Sequence, residues 1–171
     1  MTRYLCIVAL SLLLGGCGFH WAGDRPLPEP LSSVYIEALD FYRVSTPEIQ
    51  TALQKRIASR GGLVKSRASD AKTTLRLSGL SVRQDALSIN SSGFAIEYRV
   101  IVTVHYELIG DGKSLVAPDI LSLSRDYSFN AQQIVAKDEE QARLSDYIQD
   151  QMADLLLLRL EAALSRPQPA S

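Results

Sequence analysis

The strongest regularity in the chain lies between Phe94 and Leu108. Phe94, Ile96, Tyr98, Val100, Val102, Val104, Tyr106 and Leu108 take every second position, and Glu97, Arg99, Thr103, His105 and Glu107 fill most of the gaps. A period of two describes a strand with one buried and one wet face. Two weaker patterns flank it. Thr73 to Ile89 alternates at Leu75 and Leu77, then shifts phase after Gly79 to Leu80 and Val82, which predicts a β-bulge. Leu121, Leu123, Tyr127 and Phe129 share a face opposite Ser122, Ser124, Asp126 and Ser128, and Arg125 falls in the apolar phase. Asn90-Ser91-Ser92-Gly93 and Gly110-Asp111-Gly112 supply the turns. Ser33 to Leu39, short and rich in β-formers, predicts a first strand.

Two stretches switch to the helical period. Ile49, Ala52, Leu53 and Ile57 make one apolar stripe. Ser45 and Glu48 have capping-box spacing, Pro47 suits a first turn, and Gly61-Gly62 end the helix. A long helix over 138–164 carries a stripe of Leu144, Ile148, Met152, Leu155 and Leu156, with acids in its first turn where the macrodipole favours them. Four consecutive leucines, 155–158, predict a helix end covered on more than one side. The order is β-α-β-β-β-α. A parallel, right-handed first crossover and an antiparallel meander follow from it. The predicted fold class is α+β: a two-layer sandwich with two helices on one face of a four-stranded mixed sheet and a polar opposite face.

The N-terminus changes where this domain must be placed. Arg3 precedes an apolar run from Leu5 to Leu14 that is too short to span a bilayer, which takes roughly 20 apolar residues. A basic start, a short apolar middle and a small-residue exit describe a secretory signal peptide. Leu14-Gly15-Gly16-Cys17 resembles the lipobox of bacterial lipoproteins, in which the cysteine is alkylated with diacylglycerol, becomes the new N-terminus and is acylated. Cys17 is therefore the expected lipidation site, and two or more acyl chains give stable anchoring. The expected organisation is a lipoprotein signal peptide at 1–16, a lipidated tether at 17–31, one α/β domain at 32–165 and a flexible tail at 166–171. Pro26, Pro28 and Pro30 favour an extended tether. Phe19 and Trp21 either sit at the lipid interface or pack on the domain.

Composition adds exclusions. Hydrophobic residues make up 46% and charged residues 22%, which suits one packed core rather than disorder. The precursor's net charge is -1, and loss of Arg3 leaves 17 basic against 19 acidic residues, or -2. That excludes a broad polycationic surface for nucleic acid. The cysteines are Cys6, within the signal peptide, and Cys17, so no thiol remains for a disulfide or a metal site. His20 and His105 stand alone, no nucleophile elbow, P-loop or dinucleotide fingerprint occurs, and no catalytic residue, metal or cofactor is expected. Binding remains, with Arg125 and Lys137 as the basic residues of interest.

Four segments carry a likeness: Cys17-Gly18-Phe19-His20; Glu97-Tyr98 opening the run through Val102-Thr103-Val104; Ser124-Arg125-Asp126-Tyr127-Ser128-Phe129; and Ala136-Lys137-Asp138 followed by Glu140-Gln141. In this order and spacing the chain resembles the LptE family, the lipopolysaccharide-assembly lipoproteins of Gram-negative outer membranes. The resemblance implies two helices on a four-stranded sheet. It also implies a non-enzymatic plug in the lumen of an LptD-type outer-membrane β-barrel, assisting barrel assembly and binding lipopolysaccharide. Lys137 matches a basic position used by the family for lipopolysaccharide contact. A second basic position falls in the turn where this chain has uncharged Ser91, and Arg83, Arg99 and Arg125 are the candidates to replace it. The expected lipopolysaccharide-binding residues are Lys137, Arg125 and Ser91. Two other readings make different demands. An auxiliary lipoprotein of a periplasmic lipid-transport system would partner a transporter component. A lipid-anchored hydrolase would need His105 or a carboxylate.

Overall fold

The computed structural model describes residues 26–39, 46–128 and 136–165, without the side chains of 136–138. The signal peptide, Cys17, Ser45 and the 166–171 tail lie outside the described residues. The elements are β1 (Ser33–Leu39), α1 (Glu48–Ser59), β2 (Leu63–Lys65), β3 (Thr73–Ile89), β4 (Ala95–Gly110), β5 (Lys113–Ser128) and α2 (Ala136–Leu164). The sheet order is β2-β1-β3-β4-β5, with β1 parallel to β2 and β3, and β3-β4-β5 an antiparallel meander.

The sheet has five strands, not the four expected from the sequence. The extra one, β2, is three residues long and forms an edge, too short to show a period. It arises because Gly61-Gly62 reverse the chain at the end of α1. Gly62 N–H donates to Ile57 O at 2.9 Å and Gly61 N–H to Ala58 O at 3.1 Å, a Schellman stop. Leu63 N–H then reaches Ser32 O at 2.9 Å and starts the pairing with β1.

One core lies between the helices and one sheet face. Ile49, Ala52, Leu53 and Ile57 of α1 meet Ile148, Met152, Leu156 and Leu160 of α2 over Val34, Leu75, Val102, Val104 and Leu108, all essentially inaccessible to water. Fully burying a leucine or isoleucine contributes roughly 1.5–3 kcal/mol, so this layer holds most of the stability. Leu31 is buried in the same cluster and Leu27 packs against it, so the packing begins ahead of residue 32.

At the start of α1 Pro47 is the N-cap and gives no side-chain cap, the capping-box partner Ser45 lies outside the described residues, and Ile49 N–H points to Gln149 Oε1 of α2 at 3.4 Å. Gln149 is buried and also donates to Ser145 Oγ at 3.3 Å. A tertiary contact thus serves one of the orphan donors of the first turn. The leucine run also divides. Leu156 and Leu157 are buried, whereas Leu155 is 38% and Leu158 63% exposed, so Leu155 leaves the predicted stripe and that helix end is covered on one side.

Arginines lock the helices together. Arg56 spans Asp150 at 3.0 and 3.1 Å and Asp154 at 2.9 Å, and Arg60 pairs with Glu161. The Arg56 hydrogen bonds hold the Asp150 carboxyl below the usual carboxylate range.

The sheet narrows along its length. Pairing of β1 with β3 ends at Leu39–Ser78. At Gly79 (φ +59°) the predicted bulge occurs: between Ser78–His105 and Ser81–Thr103, Gly79 and Leu80 of β3 stand opposite the single Val104 of β4. Beyond it the sheet is, among the described residues, three strands wide. After Glu97–Ser128, among the described residues, pairing continues between β3 and β4, closed by the Asn90–Gly93 turn. Pro26–Leu31 sits at the opposite end, where Thr73 Oγ1 donates to Pro30 O at 2.6 Å. The tether root and the hairpin tip are thus separated by most of β3, about 50 Å at a strand's rise.

Candidate functional site

Arg125 shows why the narrow end is distinctive. It occupies the helix-side phase of β5, in the rung Gln84–Val100–Arg125, yet on this outer strand it is exposed, whereas Val100 beside it on the central strand is buried. Its Nη1 donates to Ser124 O at 3.1 Å, and among the described residues no carboxylate pairs with it. The other two candidate arginines differ. Arg99 is bound bidentately by Asp126 at 2.7 and 2.8 Å on the opposite face, which depresses the Asp126 carboxyl pKa. Arg83 pairs with Asp85 at 3.1 Å. Of the three, Arg125 alone keeps its charge without a carboxylate partner among the described residues.

The next helix-side rung outward is Ala86–Tyr98–Tyr127. The tyrosine rings stack with centroids 5.6 Å apart, and Gln84 Nε2 donates to Tyr127 Oη at 2.8 Å. Sequence reasoning placed Tyr98 and Tyr127 in the core and gave Gln84 no role. Their signal was the appearance of tyrosine and glutamine at core-phase positions of the outer strand halves, where an apolar core would take leucine or valine.

Lys137 lies in the first turn of α2, and its side chain is outside the description. The helix runs back along the sheet. Gln141, Ala142 and Ser145 line a cavity of about 290 Å³ with Val82, while Arg159 and Ala162 lie near Val116–Asp119 of β5 at the other end. Positions 137, 141 and 145 share one helical face. The backbone therefore puts Lys137 one turn, about 6 Å, outward of Gln141. Gln84 stands about 7 Å outward of Val82. Lys137 and Arg125 thus fall at the same level of the molecule. Ser91 does not join them. It sits in the exposed tip, five β3 residues or about 17 Å beyond the Gln84 rung. Asn90 Oδ1 accepts from Ser92 N–H and Phe94 N–H, fixing that turn.

The reverse face is polar and satisfied by its own partners. Arg76 bridges Glu37 at 2.8 Å and Glu107 at 2.6 Å, Thr103 and Ser122 are 2.9 Å apart, and Ser88 Oγ donates to Glu97 at 2.8 Å. His105 lies exposed on this face beside Gly79. Among the described residues no three His, Cys, Asp or Glu side chains gather as metal ligands. The arrangement offers a cationic, aromatic helix-side surface, suited to charge-assisted bonding of an anion.

Comparisons with known proteins agree with this layout. A family model, LptE, described as lipopolysaccharide-assembly, matches residues 31–160. The LPS-assembly lipoprotein LptE of Pectobacterium atrosepticum is 25% identical over 158 residues, covering 92% of this chain and 84% of that protein. Its counterpart in Yersinia enterocolitica is 28% identical over 158 residues, covering 88% of this chain and 74% of that protein. The solved rare lipoprotein B of Shewanella oneidensis superposes with a TM-score of 0.62 at 23% identity, over 75% of this chain and 93% of that one. A minor lipoprotein of Acinetobacter baumannii gives 0.64 at 20% identity, over 84% of this chain and 100% of that one. At these identities the structural likeness concerns the fold.

Proposed function

This chain belongs to the LptE family of lipopolysaccharide-assembly lipoproteins, and from that membership we propose that it is the outer-membrane lipoprotein subunit of a lipopolysaccharide translocon. In this reading Cys17 carries the lipid anchor behind a cleaved 1–16 signal peptide. The domain plugs an LptD-type β-barrel, assists its assembly and holds lipopolysaccharide for delivery to the outer leaflet. The role is binding and structural, without catalysis.

The carrying observation is the family match running unbroken over residues 31–160, which takes in both Arg125 and Lys137. Two features support the finer reading. The self-paired face built on Glu37, Arg76, Glu107, Arg99 and Asp126 suits a barrel lumen, which is polar. The cationic level of Arg125 and Lys137 suits the phosphates and carboxylates of lipid A and the inner core. Ser91, at the tip, offers a hydroxyl in place of a charge.

The test is direct. Lys137→Asp weakens lipopolysaccharide binding in a salt-sensitive way, with an unchanged circular dichroism spectrum. Unchanged affinity would remove Lys137 from the site. Cys17→Ala leaves an uncleaved or mislocalised precursor on fractionation; normal processing and membrane retention would refute the anchor.

A further inference from the structure

The hairpin tip combines exposed apolar side chains with a span, residues 86–96, that contains no charged residue. Ile89 is 67%, Phe94 63% and Leu87 43% exposed, around a turn of Asn, Ser, Ser and Gly. Register shifts at Ala86/Ser88 and Ser88/Ile89 break the alternation in the last rungs. Apolar residues therefore collect at the tip instead of dividing between a buried and a wet face. The nearest charged groups flank that span: Arg83 pairs with Asp85, Arg99 with Asp126, and Glu97, accepting from Ser88 Oγ, carries its charge on the reverse face. Singly exposed apolar residues need no explanation, but a cluster at a projecting end marks an interaction site.

We propose that Leu87, Ile89 and Phe94 form a contact for the hydrocarbon chains of lipopolysaccharide, an inference that rests on the translocon reading above. Lipopolysaccharide is an amphiphile with a phosphorylated saccharide and acyl chains. The end of the molecule that carries Arg125 and Lys137 for the anionic part also carries, about 17 Å further out, an uncharged apolar tip. Leu87, Ile89 and Phe94 offer a phosphate nothing, whereas an acyl chain in contact with them gains by leaving water. Ser91 at the turn fits this division, since a cation there would have to be desolvated beside hydrocarbon.

The experiment compares full-length wild type with the Leu87→Ser, Ile89→Ser, Phe94→Ser triple variant. The probes are intact lipopolysaccharide and its completely deacylated, still phosphorylated saccharide. Wild type should prefer the intact form by about tenfold or more, and the variant should bind both probes alike, with the deacylated affinity unchanged. Phe94→Leu, which keeps an apolar side chain, should retain the preference, separating lost contact from a disturbed hairpin. A triple variant with its preference intact would overturn the tip assignment. So would a wild type that binds both probes equally, in which case the translocon reading would survive. A wild type that binds neither probe would overturn the tip assignment together with lipopolysaccharide binding. A variant that keeps its lipid preference but no longer co-purifies with its barrel would reassign the tip to protein docking.

Discussion

At the level of Thr74 the sheet is five strands wide and roofed by two helices; at the level of Tyr98 it is, among the described residues, three strands wide and only partly covered. The same strands, β3, β4 and β5, run through both levels. In the wide half the helix-side positions are Leu75, Val104 and Leu108, all buried. In the narrow half Val100 stays buried on the central strand, but Gln84, Tyr98, Arg125 and Tyr127 around it are half-buried or exposed. One alternating pattern thus serves a core at one end and a polar, aromatic, cationic surface at the other. The strand period sets which side a residue faces. The extent of the neighbouring elements sets whether that side is core.

The largest test of this division is core truncation. Leu53→Ala or Leu156→Ala in the wide half should cost about 2–5 kcal/mol in denaturant unfolding. Ile89→Ala at the tip should stay within about 0.5 kcal/mol. A comparable loss at the tip would mean that the hairpin is part of the stability core. Next comes the junction. Gly79→Ala forces a side chain into left-handed backbone, with the new Cβ 3.3 Å from the His105 ring. The expected cost is about 1–2 kcal/mol on the same assay; a neutral outcome would mean that the bulge moves freely.

Acid titration sharpens the comparison with smaller effects. Asp150 in the wide half and Asp126 in the narrow half both have depressed carboxyl pKa values, caused chiefly by hydrogen bonds from Arg56 and Arg99. Because the folded values lie below the unfolded carboxylate value of about 3.9, their stabilisation is complete above it. It is lost as pH falls through the folded values. Arg56 is the less exposed and holds two carboxylates across two helices, whereas Arg99 holds one on an open face. Arg56→Met should therefore remove more of the fall in Tm between pH 5 and 3 than Arg99→Met, as thermal melts across that range would record. Equal effects would mean that the helix clamp adds nothing beyond a surface pair.

Much of the fold was legible in the chain. Ser33–Leu39, the Gly79 bulge, the Asn90–Gly93 and Asp111-Gly112 turns, and the stripe of Ile49, Ala52, Leu53 and Ile57 all follow local rules of period and backbone geometry. What escaped depends on contacts distant in sequence. Strand β2 needs β1 beside it. The start of α1 takes its partner from Gln149, 100 residues later. Leu155 leaves the core because the neighbouring elements cover one side of α2 and not another. The candidate site divides the same way. Arg125 was visible as a charge in an apolar phase, and Lys137 through the family likeness. The pairing of Arg83 and Arg99 with their own carboxylates, and the Gln84–Tyr127 contact, required the register.

The central claim is that the narrow end meets lipopolysaccharide while the wide end does not. Placing a photo-crosslinking residue at Ser91, in the narrow-end turn, and separately at Asp111, in the exposed turn of the wide end, tests it in the native outer membrane. The account predicts lipopolysaccharide adducts from position 91 and none from position 111. Adducts from 111 alone, or from neither position, would contradict it.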